Sequence, residues 1–132
     1  IPFDEMLVQQ GDFQMRSGLV CADALLALAD VPTAIFASND DMAAGALIAV
    51  QRRGLHVPGD VSVAGFDDTP GAMFSTPALT TIRQPVSEMA AIAARHLMPT
   101  METEGDKEPA RSADGCFIAP YALIVRASTG QV

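Results

Sequence analysis

At 132 residues, 49% of them hydrophobic, the chain is long enough for one hydrophobic core and too short for two full domains. Sixteen acidic residues against eight basic ones give a net charge of -8, and Lys107 is the single lysine, so there is no basic stripe to neutralise phosphates and the chain alone is not a nucleic-acid binder. Cys21 and Cys116 follow no metal-ligand spacing and read as free thiols, no run of about 18 apolar residues offers a membrane span, and no signal-peptide layout is visible, which together predict a cytoplasmic protein.

Glu5-Met6-Leu7-Val8-Gln9 reads as a strand, and Gly11-Asp12-Phe13 as a turn into a helix over 14–29 with Met15, Leu19, Ala22, Leu26 and Ala29 on one apolar face. After Pro32, Ala34-Ile35-Phe36-Ala37 is a short buried strand. Ser38-Asn39-Asp40-Asp41 then offers N-cap oxygens and first-turn negative charge to a second helix starting near Met42. That helix carries no charge over 42–50 and stops at Gly54, a left-handed cap; being apolar all round, it must be covered by the sheet on one side and by a partner on the other. Pro58-Gly59-Asp60 turns the chain into the β-branched run over 61–66, a strand covered on both faces, and Asp67-Asp68-Thr69-Pro70 follows as an acidic loop. Residues 70–77 read as a loop exposing Met73 and Phe74, and Leu79-Thr80-Thr81-Ile82-Arg83 as a strand. A helix over 86–101 follows, with Val86, Met89, Ala90, Ala93 and Leu97 as its apolar stripe. A polar, flexible connection over 103–113 leads to two closing strands, Cys116-Phe117-Ile118 and Ala122-Leu123-Ile124-Val125. Strands alternating with helices define an α/β class with a mainly parallel sheet flanked by helices.

Ligands of open parallel sheets bind outside the carboxyl ends of the strands. Phe13, Asn39 with Asp40, Asp67 with Asp68, and Gln84 fall at those ends. A flat apolar ring beside an amide and a carboxylate suits a small polyhydroxylated ligand such as a sugar or nucleoside, because the ring stacks while the polar groups exchange hydrogen bonds with neighbouring hydroxyls. Asn39 or Asp40 serves equally well as a helix cap, and Phe13 as a plug at a helix start. Paired carboxylates also suit Mg²⁺ in phosphoryl transfer, but that chemistry needs a cation for the phosphoryl oxygens that Arg83 would have to supply alone. His56 and His96 form no nucleophile or metal constellation, and no Gly-rich phosphate loop occurs. No metal or cofactor is expected.

The residues of this chain resemble a known family. Pro32-Thr33-Ala34-Ile35-Phe36-Ala37-Ser38-Asn39-Asp40, Met42-Ala43-Ala44-Gly45, Gly54-Leu55-His56-Val57-Pro58-Gly59-Asp60-Val61-Ser62-Val63-Ala64-Gly65-Phe66-Asp67-Asp68 and Pro77-Ala78-Leu79-Thr80-Thr81-Ile82-Arg83-Gln84 are similar to the effector-binding domain of the lactose/galactose repressor family. The closing Leu123-Ile124-Val125-Arg126-Ala127-Ser128-Thr129 fits too, with Ala127 where the family usually has Glu. The resemblance implies a periplasmic-binding-protein-like (type I) fold of two lobes, an effector in the cleft, homodimerisation, and a separate amino-terminal helix-turn-helix for operator DNA. It assigns Phe13 to ring stacking, Asn39 to the cleft amide, Asp67 to the carboxylate that bonds ligand hydroxyls or ring nitrogens, and Gln84 to the cleft side of the lobe crossover. Residues 1–84 and 114–132 would be the second lobe, the helix over 86–101 would belong to the first, and 102–113 would be a linker. The DNA-binding domain, most of the first lobe and the arginine that normally contacts the effector would lie outside this sequence.

The expected protein is the effector-sensing and dimerisation part of a cytoplasmic bacterial repressor, without catalysis, membrane or cofactor. Its small-molecule effector is a sugar or nucleoside-like compound, and Ala44, Leu47, Ile48 and Phe74 face a second copy. The alternative is a periplasmic sugar-binding protein of a transporter, disfavoured by the motif match and by the helix that demands a second partner.

Overall fold

A short strand, a helix that carries the chain back, and another short strand pair in parallel, although the first, expected to be buried, covers Ile35 and leaves Ala34 and Phe36 exposed. The computed structural model, which describes residues 2–97, 116 and 119–131, has this arrangement. Helix α1 (Met15–Leu25) precedes β1 (Ala34–Phe36), and α2 (Asp40–Arg52), β2 (Ser62–Asp67), α3 (Pro70–Phe74), β3 (Thr80–Arg83), α4 (Val86–Leu97) and β4 (Ala122–Ile124) follow. The sheet runs β1-β2-β3-β4. Strands β1, β2 and β3 are parallel, with Ile35 opposite Val63 and Phe66 opposite Ile82. The chain divides into two units, Ile1–Arg83 with Leu123–Val132, and Gln84–Ala122.

In the first unit the core gathers Ala43, Ala46, Leu47, Ala49 and Val50 of α2, Ala22 and Leu25 of α1, and Ile35, Val61, Val63 and Leu79 from the strands and their approaches. Helices α1 and α2 cross at two glycines. A Cβ on Gly45 would fall 2.1 Å from the Met15 carbonyl oxygen, and one on Gly18 would fall 2.2 Å from the Met42 carbonyl oxygen. The backbones therefore touch. At the far end of the pair, Arg53 reaches across to the carbonyl oxygens of Asp23 (2.8 Å) and Leu26 (3.1 Å) and to the Asp23 carboxylate (3.0 Å), satisfying groups that the end of α1 leaves open.

The closing segment is stitched in by Ser128, which is fully buried. Its hydroxyl donates to the Val63 carbonyl (2.6 Å) and accepts from the Thr80 N–H (2.8 Å), while its own carbonyl accepts from the Val63 N–H (2.8 Å). One residue thus joins β2 to β3.

Several expectations are corrected. Residues 5–9 form no strand; Glu5–Leu7 is a 3-10 turn in which the Asp4 carboxylate captures the Met6 N–H at 2.9 Å, a local bond that competes with sheet pairing. Helix α1 ends at Leu25 rather than 29, and Met15 and Ala29 of its expected face are exposed. The second cover that α2 requires comes from α1 of the same chain: α2 packs on α1 and on β2. Leu47, expected at a dimer contact, is consequently 4% exposed and spent in the chain's own core. The loop expected over 70–77 begins as helix α3, with Pro70 at its first position. In α4, Val86, Met89, Ala90, Ala93 and Leu97 are exposed, and Ile92 is the buried residue. Cys116 is in no strand, and 98–115 and 117–118, which hold the end of the expected helix, the polar connection and most of that strand, lie outside the described residues.

Gly45→Val should destabilise the fold by about 1–3 kcal/mol, because backbone atoms cannot yield as side chains do. Gly71→Ala, whose Cβ would have Thr69 Oγ1 at 3.7 Å as its nearest neighbour, should change little. Urea denaturation midpoints of the two variants check both.

Candidate functional site

Helix α2 starts with Asn39, whose side-chain oxygen accepts the Met42 N–H at 2.8 Å. The nitrogen of the same amide donates to the carbonyl oxygen of Phe13 at 3.0 Å. Phe13 lies in the turn before α1 with φ 65 and its side chain exposed. Asp12 shapes that turn, its carboxylate accepting the Gln14 N–H (3.0 Å) and its own N–H bonding Ser17 Oγ (3.1 Å). Asn39 is thus both a helix cap and the tether of the aromatic residue. One N–H and one lone pair of its amide are left for other use.

Parallel register places Asp67 on the same rim. Phe36 pairs with Ala64, so Asn39 and Asp67 each stand three residues beyond a matched pair, and Asp67 itself pairs with Arg83. Asp67 and Asp68 have φ 113 and 56, backbone that side chains other than glycine seldom adopt. The Asp68 carboxylate is nearly buried and bonds Arg126 (2.5 Å) and Arg83 (2.6 Å), while Arg126 also donates to the Leu79 carbonyl (2.8 Å). Burial works to raise the Asp68 pKa, but hydrogen bonds and charge from Arg126 and Arg83 together outweigh it and hold the carboxyl below its ordinary range.

The structure therefore brings Phe13, Asn39 and Asp67 to one edge of the first unit. Gln84, half-buried, opens the second unit. Asp40, offered by the sequence as a cap or a ligand group, is neither: it is 3% exposed and bonded to Thr69 and Thr81. With Asp40 enclosed and Asp68 held by two arginines, the paired carboxylates are not laid out for Mg²⁺. Among the described residues no group of three or more His, Cys, Asp or Glu is placed to hold a metal ion. Of the expected contact residues, Ala44 and Ile48 are half-buried on α2 and Phe74 is 78% exposed on α3. A separate cavity of about 220 Å³, lined by Leu7, Val8, Cys21, Ile35, Phe36 and Ser38 among others, includes none of the three rim residues. Sequence reasoning missed Arg126 and Thr81; an arginine directly after an apolar strand and a threonine pair inside one were the available signals.

The first unit is a parallel α/β layer with an amide and a carboxylate at the carboxyl ends of two adjacent strands and an aromatic residue tethered beside the amide. The chain belongs to the family described as periplasmic binding protein-like domain, whose profile matches residues 2–129. It is 41% identical over 110 residues to the probable HTH-type transcriptional repressor ExuR of Bacillus subtilis, covering 81% of this chain and 33% of that protein. A sugar-binding transcriptional regulator of the LacI family from Escherichia coli, solved in complex with phosphate, superposes with a TM-score of 0.80 at 36% identity over 97% of this chain and 44% of that one. A LacI family transcriptional regulator from Lactobacillus casei with bound sucrose gives a TM-score of 0.73 at 30% identity over 88% of this chain and 41% of that one. The chain spans about a third of the length of the curated relative it matches. Among the described residues no helix is long and apolar enough to cross a membrane.

Arg126→Met leaves Asp68 with Arg83 alone and removes the donor from the Leu79 carbonyl, for an expected loss of about 1.5–3 kcal/mol in urea unfolding at neutral pH. Because the folded pKa of Asp68 is depressed, its contribution is complete above the ordinary Asp value near 4 and is lost as pH falls through the lower folded value. Unfolding midpoints measured down to pH 2 should therefore fall less steeply in Arg126→Met than in the native chain.

Proposed function

We propose that this chain is the effector-sensing and dimerisation part of a cytoplasmic DNA-binding transcriptional regulator, acting by binding and not by catalysis. The observation that carries the reading is the tether between Asn39 and Phe13 on the rim that Asp67 shares, which presents a ring, an amide and a carboxylate to one ligand. In the intact regulator the ring of Phe13 stacks on the effector, while the remaining Asn39 N–H and the Asp67 carboxylate bond its polar groups. A sugar fits that set best, and the regulators in complex with sucrose or named as sugar-binding support it. The unit Ile1–Arg83 with Leu123–Val132 is assigned to one lobe of the intact regulator. Operator DNA is contacted by an amino-terminal domain beyond this chain, in keeping with a net charge of -8 and one lysine here. The effector shifts the intact protein between lobe arrangements of different operator affinity. Dimerisation uses Ala44 and Ile48 on α2 with Phe74 on α3, an apolar surface that a symmetric contact buries twice.

Calorimetric titration of the full-length regulator with neutral mono- and disaccharides, sucrose among them, tests the effector. Asp67→Ala removes a charge-assisted hydrogen bond of roughly 1.5–3 kcal/mol and should weaken sugar binding about 10- to 150-fold with folding intact. Unchanged affinity would remove Asp67 from the site.

Phe74→Asp and Ile48→Arg place charge on the proposed contact surface and should each yield monomers with a native circular dichroism spectrum. Light scattering that still reports dimers would relocate the interface.

A further inference from the structure

Asp40 is a buried carboxylate for which the proposed binding chemistry has no use. One of its oxygens accepts the Thr69 N–H (2.7 Å) and the Thr69 hydroxyl (3.1 Å), and the other accepts the Thr81 hydroxyl (2.6 Å). Thr81, itself fully buried, also accepts the Asp68 N–H at 3.3 Å. The successive N–H groups of residues 68 and 69 thus both lead back to Asp40, directly or through Thr81. They follow immediately on the two left-handed residues, Asp67 and Asp68. Non-glycine backbone in that region persists only where its surroundings over-determine it. Strand β2 is also cut away for the carboxylate, since a Cβ on Gly65 would fall 2.5 Å from Asp40 Oδ1.

We infer that Asp40 is a positioning residue, which holds Asp67 and Asp68 in their left-handed form and so sets the direction of the Asp67 carboxylate without meeting the ligand itself. This rests on the proposed effector reading only in naming Asp67 as the group that is served. A carboxylate suits the place because all three of its partners donate. Asp40→Asn should still serve, because the amide oxygen can face Thr69 while the amide nitrogen donates to the Thr81 hydroxyl, which accepts as readily as it donates. Asp40→Ala and Thr81→Val should not. The second keeps the side chain's shape and spares the Thr69 bonds, so its fold is preserved.

The test is solution NMR on the isotopically labelled chain, without ligand, reading φ at residues 67 and 68 from three-bond HN–Hα couplings and the carboxyl ¹³C resonance of Asp67. Asp40→Ala and Thr81→Val should move both φ values out of the left-handed region and shift that resonance, with the amide spectrum of α1, β1 and the body of α2 unchanged, while Asp40→Asn stays native. A merely structural role would lower stability and leave these signals in the folded population where they were. Left-handed φ at 67 and 68 in a folded Asp40→Ala or Thr81→Val chain would overturn the inference, as would an Asn variant as altered as the Ala one. Failure of the sugar titration would remove the effector reading and leave this result standing, so the two can be told apart.

Discussion

The contact on which the rest depends is the one between the backbones of α1 and α2. Neither helix has a side chain at the crossing, so Gly18 lies against the backbone of Met42 and Gly45 against Met15 and Leu19. This brings the beginnings of the two helices together, and both Asn39 and Phe13 sit at those beginnings. Asn39 caps the start of α2, Phe13 precedes the start of α1, and the 3.0 Å bond between them is possible only because the helices are this close. Packing in the core therefore decides the geometry of the rim.

The three neighbouring acids have separate fates that follow from their surroundings. Asp40 is enclosed by neutral donors at the start of a helix, where the backbone N–H groups favour negative charge. Asp68 is held by two guanidinium groups, one of them from the closing segment of the chain. Asp67, at the end of the buried strand β2, is half-buried on the rim. Two of the three local acids are thus held by internal partners, one by neutral donors and one by arginines.

Much of this was legible in the sequence because it is local. The strands bounded by Pro, Gly and Asp, the burial of β2, the Asn39 cap, the stop near Gly54 and the place of Asp67 at a strand end all follow from residue type and spacing. The failures come from competition the sequence does not show. Residues 5–9 have the apolar content of a strand, but Asp4 engages the Met6 N–H first. Helix α2 was assigned a partner subunit because its apolar circumference is wider than a sheet can cover; nothing in the pattern of Leu47 tells whether α1 or a second copy supplies the cover. The glycines at 18 and 45 were the sign that α1 does so, as each sits inside a helix where a glycine is otherwise unfavourable. The links of Asp68 to Arg126 and of Thr80 to Ser128 join residues more than forty positions apart, beyond any local rule.

The tether at Phe13 runs through its main-chain carbonyl, and the side chain takes no part in it. Anchoring is thereby independent of the side chain: the fold holds position 13 in place whatever ring is mounted there. Tyrosine, histidine or tryptophan could replace phenylalanine without loosening either helix, whereas valine or isoleucine would be resisted by the positive φ. Single substitutions can accumulate at this exposed position and leave the core untouched. Asn39 has no such freedom, since its amide serves the fold with both ends.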